Sequence, residues 1–260
     1  MAKEEGLRTG NGGGGKGSVA VVGIGPGGLA HLTGKAREAI ENADCVVGYT
    51  RYVQLIRPLA EGKELFTTGM THEVERCNKA LELARAGRRV AVVSSGDAGI
   101  YGMAGLILQL RGEGAGVDIE VVPGVPAFVA ASAILGAPLM HDFASISLSD
   151  LLTDWLTIEA RVEAAAKAGF VMVFYNPKSS KRVEGLGRAV DIVRSHRAPS
   201  TPVGIVRNAT REGEEVTLTT LGGIDGHYGS IDMLTIVIIG NPATFTGAGR
   251  MITPRGYRGV

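Results

Sequence analysis

Small and polar side chains able to hold a ligand lie in turns that directly follow short runs of β-branched residues. Five turns have this character: Gly23–Gly28, Ser94–Gly102, Pro123–Pro126, Tyr175–Lys178 and Gly240–Pro242. Continuous apolar runs are typical of buried parallel strands, and ligands of open α/β sheets bind outside the carboxyl ends of such strands. The pattern therefore predicts one site that is built mainly from turns, with these five gathered around it.

The first turn, Gly23–Gly28, matches the GxGxxG pattern of dinucleotide-binding loops, which by itself is weak evidence. Such a site also needs an acid about 20 residues further on, but the second apolar run ends in Gly48-Tyr49. Pro26 removes a backbone N–H from the loop, and the next helix is predicted to begin only near Thr33. These features disfavour a dinucleotide. The chain also lacks GxxxxGK[ST], which disfavours a nucleoside triphosphate.

Asp97 and His141 are the side chains best suited to polar and proton chemistry, and each also has a plainer interpretation. Asp97 follows a predicted strand, where its carboxylate can bind a ligand or cap a helix that begins near Tyr101. His141 follows the Gly136–Pro138 break, and imidazole can give and take protons near neutral pH. An isolated histidine is more often a hydrogen-bonded structural residue, so both interpretations stay open at this point.

Composition and charge exclude several classes of protein. A formal net charge of +1 gives no global reason to expect a nucleic acid or a membrane as partner. No apolar run approaches the roughly 18 residues that span a bilayer, and the N-terminus lacks the apolar core of a signal peptide, so we expect a cytoplasmic protein. Cys45 and Cys77 are expected to be reduced thiols. We expect no metal site, because His72 is the one further ligand type near Cys77 and the two do not make a ligand set.

The elements that must position the turns alternate between strand and helix from Ser18 to about Leu135. Strands are predicted at 19–24, 45–48, 89–94 and 118–122, and helices at 33–43, 71–86, 101–111 and 125–135. This alternation favours a mostly parallel sheet with helices on both faces.

A second series follows the break at Gly136–Pro138. Its strands are predicted at 143–148, 170–175, 202–207, 216–220 and 234–239, and turn residues between them favour a mixed sheet. We therefore predict an α/β protein with a flexible glycine-rich tail and two αβ domains. The predicted boundaries are 1–17 for the tail, 18–138 for the N-terminal domain and 139–260 for the C-terminal domain.

The order and spacing of four segments resemble the tetrapyrrole (corrin/porphyrin) methyltransferases of cobalamin synthesis. These segments are Val22–Gly27, Ser95–Gly102, Val121–Val125 and Phe174–Pro177. A second set is similar to the precorrin-3B or cobalt-precorrin-3 C-17 methyltransferases within that family: Ser95–Ala104, His141–Phe143 with Ser145–Asp150, Val206–Asn208 and Met251–Tyr257. The resemblance runs from about Ser18 to Tyr257. Ala98 stands where the wider family has the proline of Gly-Asp-Pro.

The resemblance implies an enzyme that uses S-adenosylmethionine, bound between the two domains, to methylate C-17 of a precorrin-3B or cobalt-precorrin-3 macrocycle. It further implies ring contraction, a role in cobalamin (vitamin B12) biosynthesis and a homodimer. From the net charge and the apolar runs we expect no nucleic-acid or membrane partner. By position, the cofactor-binding residues would be Pro26, Gly96, Asp97, Ile100, Tyr101, Ser132, Tyr175 and Asn208. The carboxylate of Asp97 suits the ribose hydroxyls or the ammonium group of that cofactor.

Further roles follow from the chemistry of such a macrocycle. Its acetate and propionate groups need local cations, and the cations nearest the motif turns are Arg51, Lys178, Arg207, Arg211 and Arg255. Ring contraction needs proton transfers, for which the candidate residues are His141, Asp142 and Tyr101.

Alternatives from the same family and from other classes remain. The nearest is a methylase of another corrin carbon, C-11 or C-20. A nicotinamide-dependent oxidoreductase is disfavoured by the missing acid after the second strand, and a catalytically silent binding protein would be separated by a methyl-transfer assay. The sequence leaves open whether the substrate already contains cobalt.

Overall fold

Two five-stranded sheets organise the chain. The computed structural model describes residues 17–112 and 116–259. The predicted tail lies outside the described residues except for Gly17. The α/β class is confirmed, with one sheet in each half of the chain.

The first sheet, predicted to be mostly parallel, is entirely parallel and has the order β3-β2-β4-β1-β5. Its strands are β1 (Ser18–Gly23), β2 (Cys45–Tyr49), β3 (Glu64–Thr68), β4 (Arg89–Ser94) and β5 (Asp118–Val122). The edge strand β3 is not predicted from the sequence, because its partly exposed residues form no continuous apolar run.

Helices cover both faces of this sheet. The helices of the first half are α1 (Gly34–Glu41), α2 (Thr50–Leu55), α3 (Arg57–Ala60), α4 (Glu73–Arg85), α5 (Ala104–Arg111) and α6 (Ala127–Leu135). Val19 and Val21 pack with α4 and α5, whereas Val22 packs with α1 to α3. Because both faces of β1 pack against helices, its residues from Val19 to Val22 are all apolar. Thr33 caps α1 as predicted, since its Oγ1 accepts the Ala36 N–H at 3.1 Å.

The second sheet is mixed, as predicted, with the order β10-β9-β11-β8-β7. Its strands are β7 (Phe143–Ser147), β8 (Val171–Tyr175), β9 (Pro202–Arg207), β10 (Glu215–Thr220) and β11 (Thr235–Ile239). Helices α7 (Trp155–Ala168) and α8 (Gly185–Arg194) contribute to the core on one face. Helix α6 packs on the other face, in a cluster that includes Leu135, Val173 and Ile238. The position of the domain boundary stays a prediction.

Strand β11 runs antiparallel to both β8 and β9. Its amino end therefore lies at the sheet edge where the carboxyl ends of β8 and β9 emerge. The prediction that Gly240–Pro242 joins the other turns at one site is wrong. This turn follows the carboxyl end of β11, which lies at the opposite edge of the sheet because β11 is antiparallel to β8 and β9. Asn241 and Pro242 instead line a separate surface pocket beside His196.

A small third sheet joins the chain's last described strands to the Gly136–Pro138 break. Its strands are β6 (Gly136–Ala137), β12 (Phe245–Gly247) and β13 (Arg250–Ile252), in the order β12-β13-β6. Met251 of β13 is fully buried against α6. Within the described ranges, no helix has both the length and the apolar character to cross a bilayer.

Candidate functional site

A cleft is lined by turns from both halves of the chain, and its empty volume, open solvent included, is about 820 Å³. The carboxyl ends of the parallel strands β1, β4, β8 and β9 supply most of these turns, as expected for an α/β protein. Seven of the predicted cofactor-binding residues line it: Pro26, Gly96, Asp97, Ile100, Tyr101, Tyr175 and Asn208. Their binding role stays a prediction, but the fold brings them together.

Four glycines, Gly23, Gly25, Gly96 and Gly124, allow the turns after β1, β4 and β5 to touch one another, and we call this contact the glycine junction. Gly25 and Gly96 exchange two backbone hydrogen bonds, of 3.0 and 2.8 Å. A Cβ placed on Gly23 would lie 2.6 Å from the Gly124 nitrogen and 2.7 Å from the Gly96 oxygen. The glycines of the first turn therefore allow three backbone segments to lie close together. This structural role accounts for the GxGxxG pattern in a loop that lacks the other features of a dinucleotide site.

The Asp97 carboxylate stabilises the glycine junction by accepting two backbone hydrogen bonds. Its Oδ1 accepts the Gly99 N–H at 2.8 Å, and its Oδ2 accepts the Gly124 N–H at 3.0 Å. It does not cap a helix at Tyr101, because α5 begins at Ala104. Both carboxylate oxygens keep a further lone pair, so the residue can still accept a hydrogen bond from a ligand in the cleft.

Tyr101 and Tyr175 form an aromatic wall, with ring centroids 5.1 Å apart. The Tyr101 hydroxyl donates to the Ser145 carbonyl at 3.0 Å, and the Tyr175 hydroxyl accepts the Phe128 N–H at 3.2 Å. Burial raises the pKa of the Tyr175 phenol to about 12, so this group stays protonated near neutral pH.

Left-handed backbone conformations cluster around the cleft. Tyr101, Asn176 and Asn208 have φ values of 53°, 52° and 52°, and all three line the cleft. Asparagine tolerates this region through local hydrogen bonds, whereas a bulky tyrosine pays a conformational cost of about 1–3 kcal/mol. Strain of this kind concentrates at binding sites, where the surrounding structure enforces it.

Arg211 joins the two halves across the cleft. Its Nε donates to the Pro26 carbonyl at 2.5 Å, and its Nη2 donates to the Ser95 hydroxyl at 2.6 Å. Thr210 also lies directly against Gly27, where a Cβ would collide with its carbonyl oxygen. The turn after β9 is therefore tied to the turns after β1 and β4.

The other predicted substrate-binding cations lie outside the cleft lining. Arg207 pairs with Asp232 at 2.8 Å and with Glu215 at 3.3 Å, and these acids raise the pKa of its guanidinium. Lys178 donates to the Tyr228 carbonyl at 2.7 Å. Arg51 and Arg255 are exposed and form no ion pair within the described ranges, so they are the two most available to an anionic substrate.

Ser132, His141 and Asp142 also lie outside the cleft lining. Ser132 is half-buried on α6. His141 and Asp142 occupy the exposed turn before β7, where the Asp142 N–H donates to His141 Nδ1 at 2.9 Å. The Asp142 Oδ2 lies 3.6 Å from the same nitrogen. Their catalytic roles stay predictions.

Ser95 and Asn176 line the cleft within two of the predicted turns, but several other lining residues are not predicted from the sequence, chiefly Tyr52, Ala209 and Met233–Ile236. Tyr52 lies on α2, directly after the carboxyl end of β2, and burial raises the pKa of its phenol. Its position after a parallel strand is a usable signal. Met233–Ile236 has no such signal in the sequence, because this segment lines the cleft only as a result of the antiparallel direction of β11.

Cys45 and Cys77 are both buried and are not joined in a disulfide, and their reduced state stays a prediction. Burial raises the pKa of the Cys77 thiol to about 11, so it stays protonated and unreactive near neutral pH. Over residues 17–112 and 116–259, no group of three or more His, Cys, Asp or Glu side chains is arranged to hold a metal ion.

Comparison with known proteins gives consistent matches. Residues 18–225 match the family model of the Tetrapyrrole (Corrin/Porphyrin) Methylases. The chain is 50% identical over 240 residues to the probable cobalt-factor III C(17)-methyltransferase of Salmonella typhimurium, covering 92% of this chain and 99% of that protein. It is 49% identical over 248 residues to the cobalt-factor III methyltransferase of Priestia megaterium, which covers 94% of this chain but only 46% of that protein.

Solved structures agree with these matches. The methyltransferase CobJ superposes with a TM-score of 0.86 at 38% identity, over 92% of this chain and 100% of that one. The uroporphyrin-III C-methyltransferase of Thermus thermophilus, solved with S-adenosyl homocysteine, gives a TM-score of 0.66 at 25% identity. That alignment covers 86% of this chain and 97% of the other.

Proposed function

The chain belongs to the tetrapyrrole (corrin/porphyrin) methylases, and from this premise we propose that it methylates C-17 of a cobalt-containing corrinoid macrocycle in cobalamin biosynthesis. The methyl donor is S-adenosylmethionine. One observation carries the choice of carbon and metal: the Salmonella relative, named a cobalt-factor III C(17)-methyltransferase, aligns over 99% of its length at 50% identity. The cobalt precorrin-4 methyltransferase, a different methylase, is only 25% identical.

The residues of the cleft fit the methyl donor chemically. S-adenosylmethionine has an adenine, ribose hydroxyls, an ammonium group and a carboxylate. The cleft offers apolar surface from Ile100, Ala127 and Ala209, together with the carboxylate of Asp97 and the guanidinium of Arg211. Small ligands are typically held by mostly apolar walls with a few convergent polar groups, and this lining has that composition.

Positioning is the main catalytic task of this chain. S-adenosylmethionine supplies an already activated methyl group when bound, so the protein needs no covalent intermediate. The Arg211 contacts hold the two halves together, and the glycine junction fixes the turns of the first half, so that the walls of the cleft are set before the ligands arrive. Well-oriented proximity of two reactants can lower a barrier by about 7–11 kcal/mol.

We place the macrocycle beyond the cleft mouth, along the edge strand β7. Tyr101 and Phe143 are 54% and 41% exposed, so their rings present apolar surface to solvent. Phe143 is connected to the cleft wall through Phe128, whose ring centroid is 5.5 Å from that of Phe143 and 6.3 Å from that of Tyr175. Exposed aromatic surface suits a flat macrocycle. On this path His141 lies two residues before Phe143, in the turn that leads into β7.

Ring contraction belongs to the same proposal, with His141, Asp142 and Tyr101 as the groups that move protons. In the arrangement described, His141 Nδ1 accepts a backbone hydrogen bond, so a neutral imidazole carries its proton on Nε2. We also propose that the active unit is a cytoplasmic homodimer, as the family resemblance implies. Sedimentation equilibrium tests this, and an active monomer would contradict it.

Ligand binding tests the choice of cofactor. Isothermal titration should show S-adenosylhomocysteine binding in the micromolar range, about −8 kcal/mol, because the cleft lining fits that ligand. NAD and NADP should give no comparable heat, because the glycine junction is closed by backbone contacts and no acid follows β2. Tight NAD binding with no response to S-adenosylhomocysteine would contradict the proposal.

A further inference from the structure

Arg211 is the one Lys or Arg side chain among the described residues that line the cleft, and Asp97 is the one Asp or Glu. The two acceptors that Arg211 meets, the Pro26 carbonyl and the Ser95 hydroxyl, are both uncharged. Across the described part of the chain, no carboxylate forms an ion pair with it. A partly buried guanidinium without a counter-ion is costly, and burial lowers its pKa accordingly.

Arg207, four residues earlier, makes the contrast clear. At the carboxyl end of β9, it is paired with both Asp232 and Glu215. The segment therefore satisfies one arginine with two acids and leaves the other, inside the cleft, with none. A guanidinium has five N–H groups, and the two bonds of Arg211 leave Nη1 without a partner within the described residues.

The charges of the cleft match those at one end of the methyl donor. The amino-acid end of S-adenosylmethionine carries one ammonium group and one carboxylate. Asp97 suits the ammonium group, and a planar guanidinium is the side chain best matched to a carboxylate. We propose that Arg211 binds the carboxylate of the methyl donor's amino-acid end, in addition to joining the two halves of the cleft. This inference rests on the proposed function.

Binding of three probes to Arg211→Met tests the inference. The probes are S-adenosylhomocysteine, its decarboxylated analogue, which keeps the ammonium group, and 5′-methylthioadenosine, which lacks the whole amino-acid end. Loss of a charged hydrogen bond typically costs about 10- to 100-fold in affinity, so Arg211→Met should weaken S-adenosylhomocysteine by about that factor. The other two probes should bind within about threefold of the wild type, because they lack the group that Arg211 contacts.

Controls separate this role from a contact that only joins the halves. Arg37→Met removes an exposed arginine that is paired with Glu41 on α1 and should change no probe's affinity. Arg211→Lys keeps the charge without the planar fork and should bind S-adenosylhomocysteine with intermediate affinity. It also replaces Arg211→Met in the comparison if that variant does not fold.

Two results would overturn the inference. One is an equal loss of affinity for all three probes in the Arg211 variants, which would make the residue an interdomain contact only. The other is equal binding of S-adenosylhomocysteine and its decarboxylated analogue to the wild type. A wild-type protein that binds none of the probes would instead count against the proposed function.

Discussion

Replacing His141 by alanine should slow turnover by about 10²- to 10⁴-fold while leaving S-adenosylhomocysteine affinity unchanged. The imidazole is exposed on the turn before β7, outside the cleft lining, so its loss should not disturb the cofactor. It lies two residues before Phe143, where we expect the macrocycle, and a positioned acid or base there accelerates proton transfer. Ring contraction should suffer at least as much as methyl transfer. Product analysis by mass spectrometry, with titration calorimetry for the cofactor, measures both effects.

His72→Ala is the matched control. His72 is also an exposed histidine beside an acid, with its Nδ1 2.8 Å from Glu75, but it lies before α4 and away from the cleft. Its removal should leave turnover unchanged. If folded His141→Ala forms the contracted and methylated product at a near-normal rate, His141 has a structural role only.

Replacing Gly23 by alanine should destabilise the fold and weaken the cofactor together. The new methyl group would lie within 2.7 Å of backbone atoms of both Gly96 and Gly124, and neither backbone can move without breaking the junction of three turns. Overpacking of this kind typically costs about 1–3 kcal/mol, and more where backbone must shift. Because Asp97 is anchored to Gly124, the same shift displaces a lining residue. Denaturant unfolding and S-adenosylhomocysteine titration report the two losses.

Gly105→Ala provides the comparison for that variant. A Cβ on Gly105, within α5, would meet no atom within 4 Å. Alanine should therefore raise the free energy of unfolding by up to about 1 kcal/mol, through helix propensity alone. A Gly23→Ala protein with wild-type stability and wild-type cofactor affinity would show that the glycine junction does not shape the site.

Strands that are buried on both faces can be predicted from their apolar sequence. Strands whose position depends on pairing with neighbouring strands cannot. The apolar run of β8 predicts a strand because Val171 to Phe174 are fully buried, and the same reasoning identifies β1 and β4. Strand β3 lies at an edge with exposed positions, and β6 has only two residues, so neither has a readable pattern. Their pairing is decided by tertiary contacts.

The residues of the site likewise divide into those that the sequence predicts and those that it does not. Turns after parallel strands are predictable as its walls, because the carboxyl ends of such strands emerge at one edge; Pro26, Asp97 and Tyr175 are found accordingly. The direction of β11 has no local signature, and it both removes Gly240–Pro242 from the site and brings Met233–Ile236 into it. The partnership of Arg211 with Pro26 is likewise invisible to local patterns, since the two are 185 residues apart.

Methyl transfer from labelled S-adenosylmethionine, followed on cobalt-factor III and on metal-free precorrin-3B side by side, tests the proposed activity most directly. We expect the label to appear at C-17 of the cobalt-containing macrocycle, identified by nuclear magnetic resonance, with little transfer to the metal-free one. A label at C-11 or C-20, or no transfer to either macrocycle by protein that binds S-adenosylhomocysteine, would contradict the assignment.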